Sequence, residues 1–259
     1  MHHLTQSNYE IRSEWGSQAV DQLSAADVII IVDVLSFSTC VDIAVSRGAT
    51  VLPYRWKDET AIAYAREKNA EIASSRNRFA GHYSLAPSSL INVPTGLRLV
   101  LPSPNGSTLA FQAKDTGAKV IAGCLRNATA VARWANRNGR TFNVIPAGER
   151  WPDGSLRCAI EDLLGAGAII SKLNGTQSPE AQTACASWTG LEQKLSDTLL
   201  LSASGQELDQ KGFKADVELA AMHDVSSTVP LLTDTDFINA NPPAHDARPD
   251  DPPPLAPGH

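Results

Sequence analysis

Side chains that could bind a phosphorylated ligand and a hard metal ion lie at four places in this sequence, each at the end of an apolar run. The runs cover residues 28–39, 97–108, 118–129 and 141–150, and the last continues through a loop to residues 158–170. Ligands of parallel α/β sheets bind just beyond the carboxyl ends of the strands. If these runs are strands of one sheet, we expect their polar ends to meet in one pocket. The side chains concerned are Asp33, Ser38, Thr39, Asn105, Ser107, Asn127, Glu149, Glu161 and Asp162.

Asp33 is an acid inside the apolar run VIIIVDVL. Burial of an acid is costly unless the group is paired, hydrogen-bonded or bound to a metal. Asp33 is therefore predicted to be a Mg²⁺ ligand, a general base or a nucleophile. The alternative is a structural aspartate that accepts hydrogen bonds from the turn that follows it.

Hydroxyl groups follow Asp33 directly, at Ser36, Ser38 and Thr39. A helix that begins here offers free amides and the positive end of its dipole to an anion. Capping of the same helix by a hydroxyl is equally compatible with the pattern. We predict that all three residues bind the substrate.

The second and third junctions add amides, a hydroxyl and a cation to the predicted binding site. The second contains Asn105, Gly106 and Ser107, and the glycine allows a ligand to approach the backbone closely. The third contains Arg126 and Asn127, and the guanidinium could bind an anion through two hydrogen bonds. A solvated surface arginine is an equally good interpretation of Arg126.

Two adjacent acids, Glu161 and Asp162, begin the helix-like stretch after the fourth run. Adjacent residues on a helix point about 100° apart, so we expect one acid to face the pocket and the other to orient a neighbour or stabilise the helix N-terminus. Mg²⁺ takes one or two protein carboxylates together with phosphate oxygens and water. We therefore predict Asp33, Glu161 and Asp162 as metal ligands, and Asp33 and Glu161 as the catalytic residues.

The alternation of strand-like and helix-like segments predicts a three-layer α/β/α fold with a largely parallel, or mixed, sheet. Continuous apolar runs are typical of strands that are buried on both faces. We assign residues 1–238 to one α/β domain, which could consist of two intimate halves, and the Pro- and Asp-rich residues 239–259 to a disordered tail. A polar link is expected over residues 174–190 and a helix over residues 191–203.

Composition argues against several classes of function. The net charge of −6 disfavours a nucleic-acid-binding surface. No apolar stretch approaches the ~20 residues that cross a bilayer, and the start of the chain is unlike a secretory signal, so we expect a cytoplasmic protein without membrane partners. The four cysteines form no CxxC pair, and the dinucleotide, P-loop and GxSxG motifs do not occur. His82 could take part in acid–base chemistry, although a surface histidine is the commoner case.

With these junctions in view, the chain resembles the 2-phosphosulfolactate phosphatase (ComB-like) family over roughly residues 25–230. VIIIVDVLSFSTCVDIAVSRGA resembles the opening block of the family, and PSPNGSTLA and VIAGCLRNATAVA resemble the next two. IPAGERWPDGSLRCAIEDLLGAGAII resembles the fourth block, and ADVELAAMHDVSSTVP the closing one.

The resemblance implies an α/β fold and a Mg²⁺-dependent phosphatase that acts on 2-phospho-3-sulfolactate, a step toward coenzyme M. It also implies a small-molecule substrate, and a homodimer is the general expectation for such a protein. The residues that we expect to bind the substrate, from the junctions and the resemblance together, are Ser36, Ser38, Thr39, Asn105, Gly106, Ser107, Arg126, Asn127 and Gly148.

The sequence departs from the family pattern at Ser36, where the family has arginine, at Phe37, where it has alanine, and in the loop 74–88. A substrate with several negative charges needs positive partners, and another arginine could supply the missing charge, namely Arg76, Arg78, Arg126, Arg150 or Arg157. Two alternatives therefore stay open. The chain could be a phosphatase for a non-sulfonated phospho-hydroxy acid, or a non-catalytic protein of the same fold that binds a small anion or a partner.

Overall fold

The computed structural model describes residues 2–55, 59–74 and 83–241. The predictions for His82, for most of the loop 74–88 and for the tail beyond residue 241 lie outside these residues. The strands are β1 (Ile11–Ser13), β2 (Val28–Val32), β3 (Thr50–Tyr54), β4 (Glu71–Ile72), β5 (Arg98–Pro102), β6 (Lys119–Gly123), β7 (Phe142–Pro146), β8 (Glu149–Arg150), β9 (Leu156–Arg157), β10 (Pro230–Leu232) and β11 (Phe237–Asn239). The helices are α1 (Gly16–Gln22), α2 (Phe37–Ser46), α3 (Glu59–Glu67), α4 (Gly106–Lys114), α5 (Ala128–Asn138), α6 (Ile160–Ile170), α7 (Pro179–Leu191), α8 (Leu195–Leu201), α9 (Ala203–Gln210) and α10 (Lys214–Ala220).

Nine of the strands form one sheet in the order β1-β7-β2-β6-β10-β11-β3-β5-β4, and β8 pairs with β9 in a separate hairpin. Strand β2 lies between β6 and β7 and is parallel to both, and every residue of its run VIIIV is buried. Successive side chains of a strand point to opposite faces, so Ile30 packs with α5 and α6 on one face and Ile31 packs with α2 and α4 on the other. The predicted three-layer α/β/α fold is thereby confirmed.

The hairpin β10–β11 divides the sheet into two parallel groups. Its pairings with β6 and with β3 are both antiparallel, so β3, β5 and β4 run opposite to β2. In a flat sheet β5 would lie about 24 Å from β2. Gly106, four residues beyond β5, nevertheless contacts Asp33 at the end of β2, so the sheet is strongly curved. Curvature, and not a common strand direction, brings the second junction to the first.

Residues 174–190, expected to be a polar link, contain most of helix α7, so that prediction was wrong. Ser178 caps the helix, since its Oγ accepts a hydrogen bond from Ala181 N at 3.1 Å. Close packing on α6 stabilises α7, because a Cβ at Gly167 would lie 2.1 Å from the carbonyl oxygen of Ala184. Small residues in a polar segment hide this buried face from a search for apolar periodicity.

The chain remains ordered slightly beyond the predicted domain boundary at residue 238. Asn239 ends β11, and its Oδ1 accepts a hydrogen bond from Val229 N at 3.1 Å. Asn241 donates from Nδ2 to the carbonyl oxygen of Ser227 at 3.0 Å. In the part of the chain that the structure describes, no helix has the length and apolar character needed to cross a membrane.

Candidate active site

Asp162 joins the ends of β2 and β7. Its Oδ1 accepts a hydrogen bond from Val34 N at 2.7 Å, and its Oδ2 accepts one from Gly148 N at 2.9 Å. Gly148 has a φ of +68°, and a Cβ there would lie 3.0 Å from the carbonyl oxygen of Arg157. The carboxylate of Asp162 therefore fixes two loops at the sheet edge. Its role as a metal ligand stays a prediction.

Asp33 joins the first and second junctions. Its Oδ1 accepts a hydrogen bond from Phe37 N and its Oδ2 accepts one from Gly106 N, both at 3.1 Å. The first contact is the structural alternative expected from the sequence, since Phe37 belongs to the turn after Asp33. The second comes from a distant segment. A Cβ at Gly106 would lie 2.2 Å from Cδ1 of Phe37 and 2.9 Å from Asp33 Oδ2, so only glycine fits without movement.

The hydroxyls of Ser38 and Thr39 hold the loop between β2 and α2 in place. Ser38 Oγ donates to the carbonyl oxygen of Ile31 and accepts from Asp33 N, both at 3.1 Å. Thr39 Oγ1 donates to the carbonyl oxygen of Val34 at 2.8 Å, and both side chains are completely buried. These contacts give the two hydroxyls a structural role, and their predicted binding of substrate stays a prediction.

The second junction connects to the hairpin β8–β9 through Asn105. Its Nδ2 donates a hydrogen bond to Glu149 Oε2 at 3.1 Å. A cavity of about 70 Å³ lies beside these two residues, and Trp15 also lines it. Ser107 has a structural role, since its Oγ donates to the carbonyl oxygen of Leu101 and accepts from Tyr54 N, both at 3.2 Å.

Carboxylates dominate the electrostatics of this region. Burial, together with the charges of Glu149 and Glu161, raises the pKa of Asp33 to about 7, against the hydrogen bonds from Phe37 and Gly106. Burial and the charge of Glu161 also raise the pKa of Glu149, and Arg157 and Asn105 oppose this shift. The pKa of Asp162 lies well above its usual value because of burial and the charges of Asp33 and Glu161. A bound cation would relieve this mutual repulsion.

Two buried side-chain atoms of the site have no hydrogen-bond partner in the described structure: Glu161 Oε2 and Ser36 Oγ. Glu161 is 1% exposed and Ser36 is 4% exposed. An unsatisfied buried carboxylate oxygen is costly and points to a ligand. Carboxylate oxygens are hard donors that suit Mg²⁺, so Glu161 with Asp33 fits a site for this ion.

Within the described ranges, no group of three or more His, Cys, Asp or Glu side chains is placed to hold a metal ion. A Mg²⁺ site with one or two carboxylates needs phosphate oxygens and water as its other ligands.

The third junction follows β6, which pairs with β2 up to Val32 and Gly123, but its side chains contact groups other than Asp33. Asn127 is completely buried, and its amide accepts from Cys124 N at 2.9 Å and donates to the carbonyl oxygen of Thr228 at 3.2 Å. Arg126 Nε donates to Asp42 Oδ2 at 3.0 Å, inside α2. Among the described contacts, neither side chain reaches Asp33, and their predicted role in substrate binding stays a prediction.

The structure also shows contacts of Glu149 and Arg157 that the sequence did not predict. Glu149 was expected in the pocket but without a role, and it is the acceptor for Asn105. Arg157, one of several candidate arginines, lies directly opposite Glu149 in the hairpin β8–β9. The register of a two-residue strand cannot be read from periodicity, which is why the sequence did not distinguish Arg157 from other arginines.

The curved mixed sheet and the buried carboxylates beyond its strands define an α/β protein with a cluster of acidic side chains at the strand ends. A model of the family described as 2-phosphosulpholactate phosphatase matches residues 17–235. The chain belongs to this family.

Curated relatives agree with the family match. The chain is 30% identical to a 2-phosphosulfolactate phosphatase of Methanothermobacter thermautotrophicus over 209 residues, which cover 79% of this chain and 86% of the relative. It is 28% identical to a probable 2-phosphosulfolactate phosphatase of Pseudothermotoga lettingae, with 86% of this chain and 96% of the relative covered. It is also 28% identical to a protein of Thermus thermophilus with the same description, with 82% and 90% covered.

Proposed function

We propose that this protein is a Mg²⁺-dependent phosphatase that hydrolyses 2-phosphosulfolactate to sulfolactate and phosphate. Family membership and the names of the relatives support the reaction. The observation that carries the site assignment is the buried, unpartnered Oε2 of Glu161, whose charge acts on Asp33, Glu149 and Asp162. The predicted cytoplasmic location, homodimer and role in coenzyme M synthesis stay predictions.

Asp33 and Glu161 are the residues that would hold Mg²⁺. When bound, the ion would neutralise charge on the phosphoryl group during its transfer to water. The amides of Phe37 and Gly106 fix the orientation of the Asp33 carboxylate. Ser36 Oγ has a hydroxyl hydrogen to donate to a phosphate oxygen. Asp162 acts indirectly, because it holds the loops that carry Val34 and Gly148.

Hydrolysis transfers the phosphoryl group to water: the P–O ester bond breaks, water supplies the new oxygen on phosphorus, and the alcohol leaves with a proton. We assign Asp33 to the metal and the attack on phosphorus to water, and the amides of Phe37 and Gly106 would orient its carboxylate in either role. Acid quenching during turnover should then recover no phosphate on the protein. Phosphorylated Asp33 in the quenched protein would assign the attack to that residue instead.

The test is phosphate release from 2-phosphosulfolactate, with Mg²⁺ and with a chelator. Asp33→Asn and Glu161→Gln should abolish turnover and the response to Mg²⁺. Asp153→Asn is the matched control, since Asp153 is an exposed acid whose Oδ1 accepts hydrogen bonds from Ser155 in the hairpin turn. Turnover that is unaffected by the chelator would refute the metal assignment. Binding of sulfolactate without any turnover would favour the non-catalytic alternative.

Ser36 supports a second candidate substrate class, the non-sulfonated phospho-hydroxy acids. This residue is uncharged and buried at the position where the family pattern has arginine. The loss of one positive charge reduces the attraction for the most highly charged esters. A higher kcat/KM for 2-phospholactate than for 2-phosphosulfolactate would establish this alternative.

A further inference from the structure

We propose that Arg157 binds an acid group of the substrate other than its phosphate, and thereby selects phosphate esters that carry a carboxylate or a sulfonate. This inference rests on the proposed phosphatase function. It adds to that function the residue that recognises the part of the substrate remote from phosphorus.

The hairpin β8–β9 directs Arg157 toward the Asp33 group. Glu149 and Arg157 are directly opposed in this antiparallel pair. Opposed residues place their side chains on the same face of the strands. The side chain of Glu149 accepts a hydrogen bond from Asn105 at 3.1 Å, and the next residue, Gly106, donates to Asp33. The face that carries Arg157 is therefore the face that meets the second junction.

The negative charges around the site favour a cation beside any further acid group of the substrate. The charge of Glu161 raises the pKa values of Asp33, Glu149 and Asp162, and Glu149 also raises the pKa of Asp33. A metal ion between them would compensate for the phosphate but not for a further acid group on the same molecule. In the described part of the chain, the basic group that opposes the pKa shift of Glu149 is Arg157.

Arg157 is held in place before the substrate arrives. Its Nη2 donates a hydrogen bond to Ser204 Oγ at 2.9 Å, and Ser204 is 5% exposed in the first turn of α9. Its Cζ lies 5.9 Å from the ring centroid of Trp151. A guanidinium has five N–H groups in a planar fork, and such a fork binds a carboxylate or sulfonate through two parallel hydrogen bonds. The anchored, partly buried guanidinium is thus oriented for recognition of an anion.

Arg150, on the opposite face of the same hairpin and beside the cavity near Asn105, provides a comparison for Arg157. It is exposed, and its Nη1 donates to the carbonyl oxygen of Gly154 at 2.8 Å within the turn. If Arg157 only stabilised the hairpin, Arg150→Gln and Arg157→Gln should have similar effects on all substrates. If Arg157 binds an acid group, the two variants should differ only for substrates that contain one.

The experiment compares wild type, Arg157→Gln, Arg157→Lys and Arg150→Gln on four phosphate esters. These are 2-phosphosulfolactate, 2-phospholactate (carboxylate only), the phosphate ester of 2-hydroxyethanesulfonate (sulfonate only) and p-nitrophenyl phosphate (neither group). A hydrogen-bonded charge contributes roughly 10- to 100-fold in affinity. We therefore expect Arg157→Gln to raise KM by this factor for esters that carry the recognised group. Its kcat/KM for p-nitrophenyl phosphate should stay near the wild-type value, and Arg157→Lys should restore part of the loss.

The pattern over the two single-acid esters identifies whether the carboxylate or the sulfonate is bound. An equal loss on all four esters, or no loss on any, would overturn the role of Arg157. Should wild type release no phosphate from any of the esters, the proposed function fails separately. Calorimetric titration with sulfolactate then tests Arg157 alone, and equal affinity of wild type and Arg157→Gln would overturn the inference.

Discussion

The backbone amide of Gly106 lies 3.1 Å from the carboxylate of Asp33, although 73 positions separate the two residues along the chain. The contact joins the start of α4 to the end of β2. It requires glycine, since any side chain at position 106 would collide with the ring of Phe37. The orientation of the Asp33 carboxylate therefore depends on Gly106, which has no side chain.

Gly106→Ala should lower both stability and activity. The added Cβ would lie 2.2 Å from Cδ1 of Phe37, and overpacking of this kind costs typically about 1–3 kcal/mol. Denaturant unfolding and phosphate release measure the two losses. The double variant Gly106→Ala/Phe37→Ala should lose less stability than the two single variants together, because the ring that meets the new Cβ is gone. A double variant no more stable than the sum of its parts would show that the ring is not the obstacle.

Asp162→Asn should destabilise the metal-free protein, whereas Glu161→Gln should not. Asp162 accepts two amide hydrogen bonds, and an asparagine places a donor against one of these amides, at a cost of about 1–3 kcal/mol in the free energy of unfolding. Glu161 Oε2 has no partner among the described contacts, so a neutral glutamine should not destabilise the metal-free protein. Both variants should lose activity. Denaturant unfolding of both variants in a chelator measures these changes. A larger loss of unfolding free energy for Glu161→Gln than for Asp162→Asn would contradict the prediction.

The metal-free protein should become less stable as the pH rises from about 4 to 7. The folded-state pKa of Asp33 is raised from 3.8 to about 7, so its contribution to stability is fully present below the unfolded value and is lost as pH rises through the folded one. Thermal melts in a chelator should show this decline. Asp33→Asn removes the titrating group and should flatten the profile in this window. Identical profiles for the two proteins would assign the effect to other groups.

Arg126→Met should destabilise the protein but leave catalysis of the folded fraction close to wild type. The substitution leaves Asp42 buried without its cation, and loss of one partner of a buried pair costs about 3–5 kcal/mol. Asp42→Asn in addition should restore much of that stability. Urea unfolding and kcat/KM on 2-phosphosulfolactate test the two statements. A selective rise in KM would instead support the substrate-binding role predicted from the sequence.

Strong local patterns made β2 and the helix after it predictable. The apolar run around Ile30 is buried on both faces. Asp33 accepts a hydrogen bond from the turn that follows it, which is the structural alternative predicted from the sequence. Helix α7 was not predictable in the same way, because alanines such as Ala184 bury a face that carries little apolar signal.

The contacts of the candidate site depend on long-range geometry, which a sequence pattern does not contain. The hairpin β10–β11 pairs with each neighbouring strand through single residues, Leu231 with Ile121 and Phe237 with Val51. No turn motif indicated that it would reverse the direction of half the sheet. For the same reason the sequence did not show that the Asn127 amide would donate to the carbonyl oxygen of Thr228.

The division of the sheet by β10–β11 has a consequence for how the site forms. Asp33 and Glu161 belong to the group of strands around β2, whereas Gly106 follows β5 in the other group, and the hairpin that joins the groups is encoded near the end of the chain. A truncated chain that lacks residues 230–239 thus lacks the strands that connect the group around β2, which carries Asp33, to the group that carries Gly106.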